Sequence, residues 1–214
     1  MLNISKGNMY DFVTHTWNTI KGKCYHDCSY CYMKRWGTLN PVRLDRSELI
    51  GDIGSGKFIF IGSSCDMFAD NIPDEWIKET LQYCNRFNNK YFFQSKNVAN
   101  MIKFFDQMPI NSFLCTTIET NRFYPEIMGN APHPEDRVFP GLHYVTIEPI
   151  MDFDIDELFE MIVRCKPLQV NIGADSGKNN LPEPSFEKVM TLIEMLKGFT
   201  TIHKKRNLDR LLTK

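Results

Sequence analysis

The stretch Lys23-Cys24-Tyr25-His26-Asp27-Cys28-Ser29-Tyr30-Cys31-Tyr32 holds three of the seven cysteines of this 214-residue chain, at a CxxxCxxC spacing. It comes after an apolar run at Asp11 to Trp17, which predicts that the three thiols lie on the loop after a first β-strand. One such loop can wrap a single inorganic centre. A four-iron cluster normally binds four thiolates, so three local ligands would leave one iron open to a substrate or cofactor.

Outward from this stretch, short runs rich in Val, Ile, Phe and Tyr predict six β-strands. They alternate with segments of helical periodicity, of which the clearest begins after Pro184-Ser185 and ends before Gly198. Repeated βα units predict a parallel sheet. The six runs are Asp11 to Trp17, Phe58 to Gly62, Tyr91 to Ser95, Phe113 to Ile118, His143 to Ile147 and Leu168 to Ile172.

Six βα units are fewer than the eight of a closed barrel. We therefore predict an α/β fold, a partial (β/α)6 TIM-like barrel with a mainly parallel sheet, formed by a single domain over residues 1–214. In such a fold the working residues lie at the carboxyl ends of the strands. The proline-containing stretch Met128 to Pro140 is the longest irregular segment and is a candidate lid or substrate loop.

The composition narrows the class of protein. The chain is 43% hydrophobic and 24% charged, which supports one sizeable core. Its net charge of -1 provides no general attraction to phosphates. No stretch approaches the roughly 18 apolar residues of a membrane helix, and Met1 to Lys6 lack the layout of a signal peptide. We therefore expect a cytoplasmic protein that has no membrane partner.

Two other interpretations of the cysteine stretch stay open. A structural zinc site would add His26 or a distant cysteine to the three thiols, although zinc sites usually have two separated ligand pairs. A redox dithiol would use Cys28 and Cys31 and leave Cys24 without a role. The other cysteines, at positions 65, 84, 115 and 165, are scattered, which disfavours a disulfide framework and a second cluster.

The spacing Cys24-x-x-x-Cys28-x-Tyr30-Cys31, with an aromatic residue before the third cysteine, resembles the radical S-adenosylmethionine (radical SAM) superfamily. The resemblance covers nearly the whole chain, because those enzymes also use a partial (β/α)6 barrel. It implies a [4Fe-4S] cluster held by Cys24, Cys28 and Cys31, whose open iron binds S-adenosylmethionine. It further implies that reduction cleaves this cofactor to a 5'-deoxyadenosyl radical, which abstracts a hydrogen atom from a substrate.

Shorter motifs at successive strand ends resemble two branches of this superfamily, the spore photoproduct lyase-like branch and small phage-associated radical SAM proteins. Three motifs are similar to both branches, namely Tyr30-Cys31-Tyr32, Gly62-Ser63-Ser64-Cys65-Asp66 and Gln94-Ser95-Lys96. Those that resemble the phage-associated group most are Thr14-His15-Thr16-Trp17-Asn18, Thr117-Ile118-Glu119-Thr120-Asn121, Ile147-Glu148-Pro149 and Gly173-Ala174-Asp175-Ser176.

The resemblance also implies cofactor-binding roles for single residues. Tyr30 would lie beside the adenine, Lys96 would pair with the cofactor carboxylate, and the cofactor ammonium would be accepted by Ser63, Ser64 and Asp66. Each has a structural alternative, as a core tyrosine, a surface lysine or a cap of the following turn. Polar residues at the next strand ends would hold the cofactor or the substrate; they are Thr117, Glu119, Glu148 and Asp175.

Tyr32 and Cys65 are the candidate catalytic residues. If the reaction returns a hydrogen atom to a substrate radical, a phenol or thiol near the cluster would donate it, as the lyase-like branch implies. Cys65 does not sit quite at the matching position of that branch, and a buried thiol at a strand end is the alternative.

Together these patterns predict a radical SAM enzyme whose type, lyase, isomerase or transferase, the sequence leaves open. A nucleobase in a nucleotide or in DNA is the favoured substrate, and an electron donor such as flavodoxin or ferredoxin is the expected partner. A degenerate enzyme that binds S-adenosylmethionine without cleaving it is a further hypothesis. The alternative from another class is a zinc-stabilised nucleic-acid-binding module without catalysis, which would use the basic tail residues Lys204, Lys205, Arg206, Arg210 and Lys214.

Overall fold

The computed structural model describes residues 1–213, so Lys214 of the basic tail lies outside the described residues. The strands are β1 (Asn3–Ile4), β2 (His15–Trp17), β3 (Ile20–Lys21), β4 (Arg43–Leu44), β5 (Phe58–Ile61), β6 (Lys90–Ser95), β7 (Ser112–Thr117), β8 (Tyr144–Ile147), β9 (Gln169–Ile172) and β10 (Thr201–Lys204). The α-helices are α1 (Asp74–Cys84), α2 (Val98–Met101), α3 (Pro125–Met128), α4 (Ile155–Cys165), α5 (Phe186–Lys197) and α6 (Asp209–Leu212). Five 3-10 helices, at Tyr32–Trp36, Arg46–Leu49, Ile102–Gln107, Pro134–Arg137 and Arg206–Leu208, complete the elements of this part of the chain.

One eight-stranded sheet organises the molecule, in the order β1-β2-β5-β6-β7-β8-β9-β10. All neighbours in it are parallel except β1, which runs antiparallel to β2. The order begins at β1 and ends at β10, so among residues 1–213 the sheet is open. The predicted α/β fold with a mainly parallel sheet and no closed barrel is confirmed.

Each of the six predicted strands has a counterpart in the eight-stranded sheet, but two strands of this sheet, β1 and β10, were not predicted. The strand β10 is polar and half exposed at the edge of the sheet, so its four residues carry no apolar run. The strand β1 has only two residues, both exposed. The first predicted strand is also shorter than expected, since only His15–Trp17 of the run from Asp11 is extended in the sheet.

The two faces of the sheet bury different side chains, which explains that shortening. On β5, Ile59 and Ile61 join the large core beneath the helices, whereas Phe58 and Phe60 join an aromatic cluster on the opposite face. The residues before β2 lie on this cluster, and the Tyr10 hydroxyl contacts Gln94 Oε1 at 2.9 Å and Thr146 Oγ1 at 2.8 Å. The N-terminal segment therefore fills the inner face of the open sheet instead of extending β2.

The helices follow the expected local signals. The helix α5 begins after Ser185, whose side chain accepts a hydrogen bond from the Lys188 backbone N–H at 3.3 Å. Its buried stripe is Val189, Leu192, Ile193 and Leu196. Within residues 1–213, no helix combines the length and the apolar character needed to cross a membrane.

Candidate functional site

The cysteine loop is pinned at its base by a short β-ribbon that the sequence did not predict. The strands β3 and β4 pair antiparallel through Ile20 with Leu44 and Lys21 with Arg43, so the residues between them form one closed excursion. Inside it, the Asp27 N–H donates to the Cys24 carbonyl at 3.3 Å and the Cys31 N–H donates to the Cys28 carbonyl at 3.1 Å. Two successive tight turns thus present the three thiols.

A second segment, residues 125–131, holds this loop from outside; we call it the clamp. The Ser29 N–H donates to the Ile127 carbonyl at 2.8 Å, and the Asn130 N–H donates to the His26 carbonyl at 2.8 Å. At Gly129, φ is +61° and an added Cβ would lie 2.1 Å from the His26 carbonyl oxygen. Only glycine allows the two backbones to approach so closely with this dihedral. The stretch expected to be an irregular lid therefore begins as a structural support of the cysteine loop.

The three thiols have different environments. Cys28 is buried, and its Sγ accepts from Lys96 Nζ at 3.2 Å and donates to the Met128 carbonyl at 3.4 Å. A hydrogen bond with the Cys65 thiol lowers the pKa of Cys24 to about 6. Burial raises the pKa of Cys31 above its ordinary value, and the charges of Cys24 and Cys28 add to that effect. The three sulfur atoms therefore lie close enough that the charge on two of them shifts the pKa of the third.

The arrangement of donors bears on which inorganic centre the loop fits. Among the described residues, no three His, Cys, Asp or Glu side chains converge on one point suited to a metal ion. A mononuclear zinc site needs that convergence, because its ligand atoms all lie about 2.0–2.3 Å from one ion. A four-iron cluster does not, because each thiolate binds its own iron. Three cysteines on one pinned loop are compatible with a centre of the second kind.

His26 was considered as the fourth zinc ligand. Its Nε2 bonds to Asp66 Oδ2 at 2.8 Å, while its buried Nδ1 has no hydrogen-bond partner. Burial alone would lower the pKa of His26, but the Asp66 carboxylate outweighs burial and raises it. His26 therefore ties the cysteine loop to the loop after β5.

The Asp66 carboxylate connects several segments of the chain through hydrogen bonds. Its Oδ2 also accepts from Ser95 Oγ and from the Lys96 backbone N–H, both at 2.9 Å, and its Oδ1 accepts from the Phe68 N–H at 3.0 Å. With these donors and His26, both carboxylate oxygens are occupied within the protein. Its role as an acceptor for a cofactor ammonium stays a prediction.

A buried network of charged groups lies beside Cys28. Lys96 Nζ lies 2.9 Å from Glu119 Oε1 and 2.6 Å from the Tyr30 hydroxyl, which also donates to Glu119. Glu119 and Arg137 are both 0% exposed, and Arg137 Nη1 donates to Glu119 Oε2 at 2.6 Å. Lys96 is therefore no surface lysine.

The pKa values of this network follow from its charges. Burial alone would raise the pKa of Glu119, but Arg137 and Lys96 outweigh it and lower that pKa to about 2. Burial alone would lower the pKa of Lys96, yet negative charge at Cys28 and Glu119 raises it well above the ordinary value. Two cations, Lys96 and the fully buried Arg137, thus share the carboxylate of Glu119, and Lys96 also faces the Cys28 sulfur.

Ser63, Ser64 and Tyr32 lie together on the far side of the cysteine loop. The Tyr32 hydroxyl donates to the Ser63 carbonyl at 2.8 Å, and the Ser64 N–H donates to Asn18 Oδ1 at 3.0 Å. The Tyr32 side chain stays 47% exposed, whereas Cys65 in the same turn is buried. Tyr32 is therefore open to a molecule at the mouth of the site, and Cys65 lies beneath it against Cys24.

A second charged centre forms at the ends of β8 and β10. Glu148 accepts from Lys205 Nζ at 2.6 Å, from Asn207 Nδ2 at 2.8 Å and from Asn8 Nδ2 at 3.0 Å. Thr117 lies between the two centres, with its Oγ1 2.7 Å from Gln94 Nε2. Asp175 instead caps its own loop, accepting from the N–H groups of Gly177 and Asn179. Their roles toward cofactor or substrate stay predictions.

Sequence reasoning missed two residues of these centres. Arg137 was within the expected irregular stretch, and nothing in its local pattern marks a buried guanidinium. Lys205 was placed in a basic tail, but it is buried beneath β10, which the polar sequence did not reveal. These two residues can be recognised as parts of the centres only from the structure, because each cation pairs with a glutamate from a distant part of the chain.

Comparison with solved structures shows a shared fold. Spore photoproduct lyase complexed with dinucleoside spore photoproduct superposes with a TM-score of 0.64 and 8% identity, over 94% of this chain and 78% of the lyase chain. A double mutant of spore photoproduct lyase with bound AdoMet (S-adenosylmethionine) and dinucleoside spore photoproduct superposes with a TM-score of 0.58 and 9% identity, over 94% of this chain and 80% of the mutant chain. The resemblance inferred from the motifs is confirmed at the level of fold. No family model matches the chain, and no curated protein matches it.

Proposed function

We propose that this protein is a radical SAM enzyme. The observation that carries the proposal is the position of Lys96, whose side chain is only 14% exposed, is held by Glu119, and lies 3.2 Å from the sulfur of the central cysteine, Cys28. A cation fixed beside a cluster ligand is suited to receive the carboxylate of an amino acid bound at an open iron. The fold shared with spore photoproduct lyase supports the same function.

In this proposal Cys24, Cys28 and Cys31 hold a [4Fe-4S] cluster. When bound, the cluster and S-adenosylmethionine would supply the radical chemistry that removes a hydrogen atom from a substrate. The clamp and the β3–β4 ribbon fix the loop, which keeps the ligands in place while the site is loaded. The burial of Cys28 excludes water from its sulfur.

The remaining residues orient the cofactor and the substrate. The ammonium of Lys96 neutralises the cofactor carboxylate. Ser63 and Ser64 offer hydroxyl oxygens to its ammonium, and Asp66 fixes the backbone of both loops around it. Further along the edge of the sheet, toward the ribose, the adenine and the substrate, we place Tyr30, Thr117, Glu119, Glu148 and Asp175.

Tyr32 and Cys65 are proposed as hydrogen-atom donors at the end of the reaction. Tyr32 has the required access, since its ring is half exposed beside the cysteine loop. Cys65 is buried in contact with Cys24, so it would act only through a short internal path or in relay with Tyr32.

For the substrate we propose a nucleobase in a nucleotide or in DNA. The solved structures of the same fold hold a dinucleoside. The rim of this site also carries exposed aromatic side chains suited to stacking on bases, since Tyr32 is 47% and Trp36 is 72% exposed. A one-electron donor such as flavodoxin or ferredoxin would reduce the cluster, and we propose a cytoplasmic location and a phage-associated relationship on the resemblance alone.

The test is anaerobic reconstitution of the full chain with iron and sulfide, followed by reduction with dithionite and S-adenosylmethionine. We expect about four irons per chain and formation of 5'-deoxyadenosine. Cys28→Ala should lose both, whereas Cys84→Ala, which changes a buried thiol of α1 outside the loop, should keep both. Tight zinc binding without 5'-deoxyadenosine would contradict the proposal and favour the zinc-stabilised module.

A further inference from the structure

The most deeply buried cation of the molecule's described part has no role in the function proposed so far. The Arg137 side chain is 0% exposed, although a guanidinium is costly to remove from water unless its donors are paired. Its Nε donates to the Pro132 carbonyl at 2.8 Å, its Nη1 to the Thr117 carbonyl at 3.1 Å and to Glu119 Oε2 at 2.6 Å. Its Nη2 lies 3.7 Å from Met128 Sδ.

Arg137 affects how much of the positive charge of Lys96 is compensated by Glu119. Glu119 binds Arg137 through Oε2 and Lys96 through Oε1, so one carboxylate faces two cations. Without Arg137, Glu119 would neutralise Lys96 completely and the pair would be closed to a further anion. With Arg137 in place, the carboxylate is already balanced and the charge of Lys96 remains available.

The same guanidinium also anchors the clamp. It contacts the Met128 sulfur and the Pro132 carbonyl, which lie within and just after the clamp. The Met128 carbonyl accepts the hydrogen bond of Cys28 Sγ. One side chain thus connects the ligand loop of the cluster to the lysine that faces the cofactor carboxylate.

We propose that Arg137 is a positioning residue for S-adenosylmethionine: by binding the second oxygen of Glu119, it leaves the ammonium of Lys96 free to face the site of the cofactor carboxylate beside Cys28. This inference rests on the proposed function. Arg137 itself does not touch the cofactor and acts through Glu119 and Lys96.

The test uses the full chain, reconstituted anaerobically, with the dissociation constant of S-adenosylmethionine measured by equilibrium dialysis per assembled cluster. We expect Arg137→Met to weaken binding up to about tenfold, since its effect passes through Lys96 and a tenfold change corresponds to one lost favourable interaction of ordinary size. Its reduced cluster should also respond less to added S-adenosylmethionine in the electron paramagnetic resonance spectrum. The control is Arg164→Met, which removes an exposed arginine paired with Glu135 at 2.6 Å and should leave affinity unchanged.

A double-mutant cycle separates positioning from simple support of the fold. In a Glu119→Gln background, Arg137→Met should change the affinity less than about twofold, because its route of action has been removed. If Arg137→Met does not fold alone, the paired substitution still should, since both charges are then gone. Arg137→Lys supplies the same comparison, with an affinity between those of wild type and Arg137→Met.

Several results would overturn the inference. These are wild-type affinity per cluster in Arg137→Met, or an equally large loss for Arg137→Met in the wild-type and the Glu119→Gln backgrounds. Failure of the proposed function looks different, because then the wild-type chain itself would neither assemble four irons nor bind S-adenosylmethionine.

Discussion

Two glutamates at the carboxyl edge of the sheet, Glu119 and Glu148, each pair with a lysine from a distant part of the chain, yet their surroundings differ. Glu119 is fully buried and has a second cation, Arg137, on its other oxygen. The Glu148 side chain is 19% exposed and is completed by neutral amides of Asn8 and Asn207. The first centre therefore has two cations for one carboxylate, whereas the second has one. The second cation, and not the lysine, is the feature that separates the two centres.

The largest expected difference is in stability. Glu119→Gln would leave the buried Arg137 and the half-buried Lys96 without a carboxylate, and breaking a buried pair such as Arg137–Glu119 costs roughly 3–5 kcal/mol. Glu148→Gln keeps hydrogen bonds and partial access to water, so we expect about 1 kcal/mol. Urea unfolding of both variants measures the two values. Equal losses would show that the two centres do not differ as described.

Acid should separate the centres next. The folded-state pKa of Glu119, about 2, lies below its ordinary value of 4.5, so its contribution to stability is complete above about pH 4.5 and is lost as the pH falls toward 2. The size of that contribution is about 3 kcal/mol. We expect Glu119→Gln to flatten the acid side of the stability curve, whereas Glu148→Gln retains the fall of the wild type. Unfolding free energies between pH 5 and pH 2 provide the measurement.

Two glycines, one in the clamp and one beside Glu148, allow the cost of an added methyl group to be compared at the two places. Gly129→Ala would place a Cβ 2.1 Å from the His26 backbone oxygen, at a φ of +61°, and we expect a cost of about 2 kcal/mol with reduced iron incorporation. Gly173→Ala would meet the Glu148 and Asn207 side chains, which can turn aside, so we expect less than about 1 kcal/mol. Thermal unfolding and iron content per chain test both. Full iron loading in Gly129→Ala would show that the clamp is dispensable for the cysteine loop.

The smallest expected effect concerns ligand affinity. Lys96→Met should weaken S-adenosylmethionine binding about tenfold while iron content stays at the wild-type value, because no cluster ligand is lost. Lys205→Met should produce a smaller loss, since its charge is balanced by Glu148 alone. Equilibrium dialysis of the reconstituted variants decides between them. A larger loss of affinity in Lys205→Met than in Lys96→Met would indicate that the cofactor carboxylate binds beside Lys205, at the second centre.

The sequence was sufficient for the fold because buried parallel strands are continuous apolar runs, as in β5 to β9. It failed where burial was absent, as in β1 and β10, and where an apolar segment had another place to go. The apolar run from Asp11 predicts a strand throughout, yet its residues Phe12 and Val13 join the aromatic cluster on the inner face of the sheet. Periodicity reports that a segment is buried, but not which surface buries it.

The candidate site was predictable where its residues are neighbours in sequence, and less so elsewhere. The cysteines are close in sequence, and Lys96 ends a strand, so both could be located from the sequence. Arg137 and Lys205 become site residues only through contacts with glutamates that lie 18 and 57 positions away, and no local pattern encodes such a pairing. Asp66 has a further role that the sequence does not reveal, because its oxygens join three protein segments, while its predicted role toward the cofactor stays a prediction.

The clamp also has a consequence for how the protein matures. The contact between Cys28 and Met128 spans 100 positions, and that between Tyr25 and Asn130 spans 105. Contacts of such high order form late, because closing a long loop costs entropy before any interaction rewards it. During synthesis the three thiols are therefore on the nascent chain well before their support exists, open to oxidation to sulfenic acid or mixed disulfides. We expect the yield of iron-loaded protein to depend on how quickly residues 125–131 reach the cysteine loop.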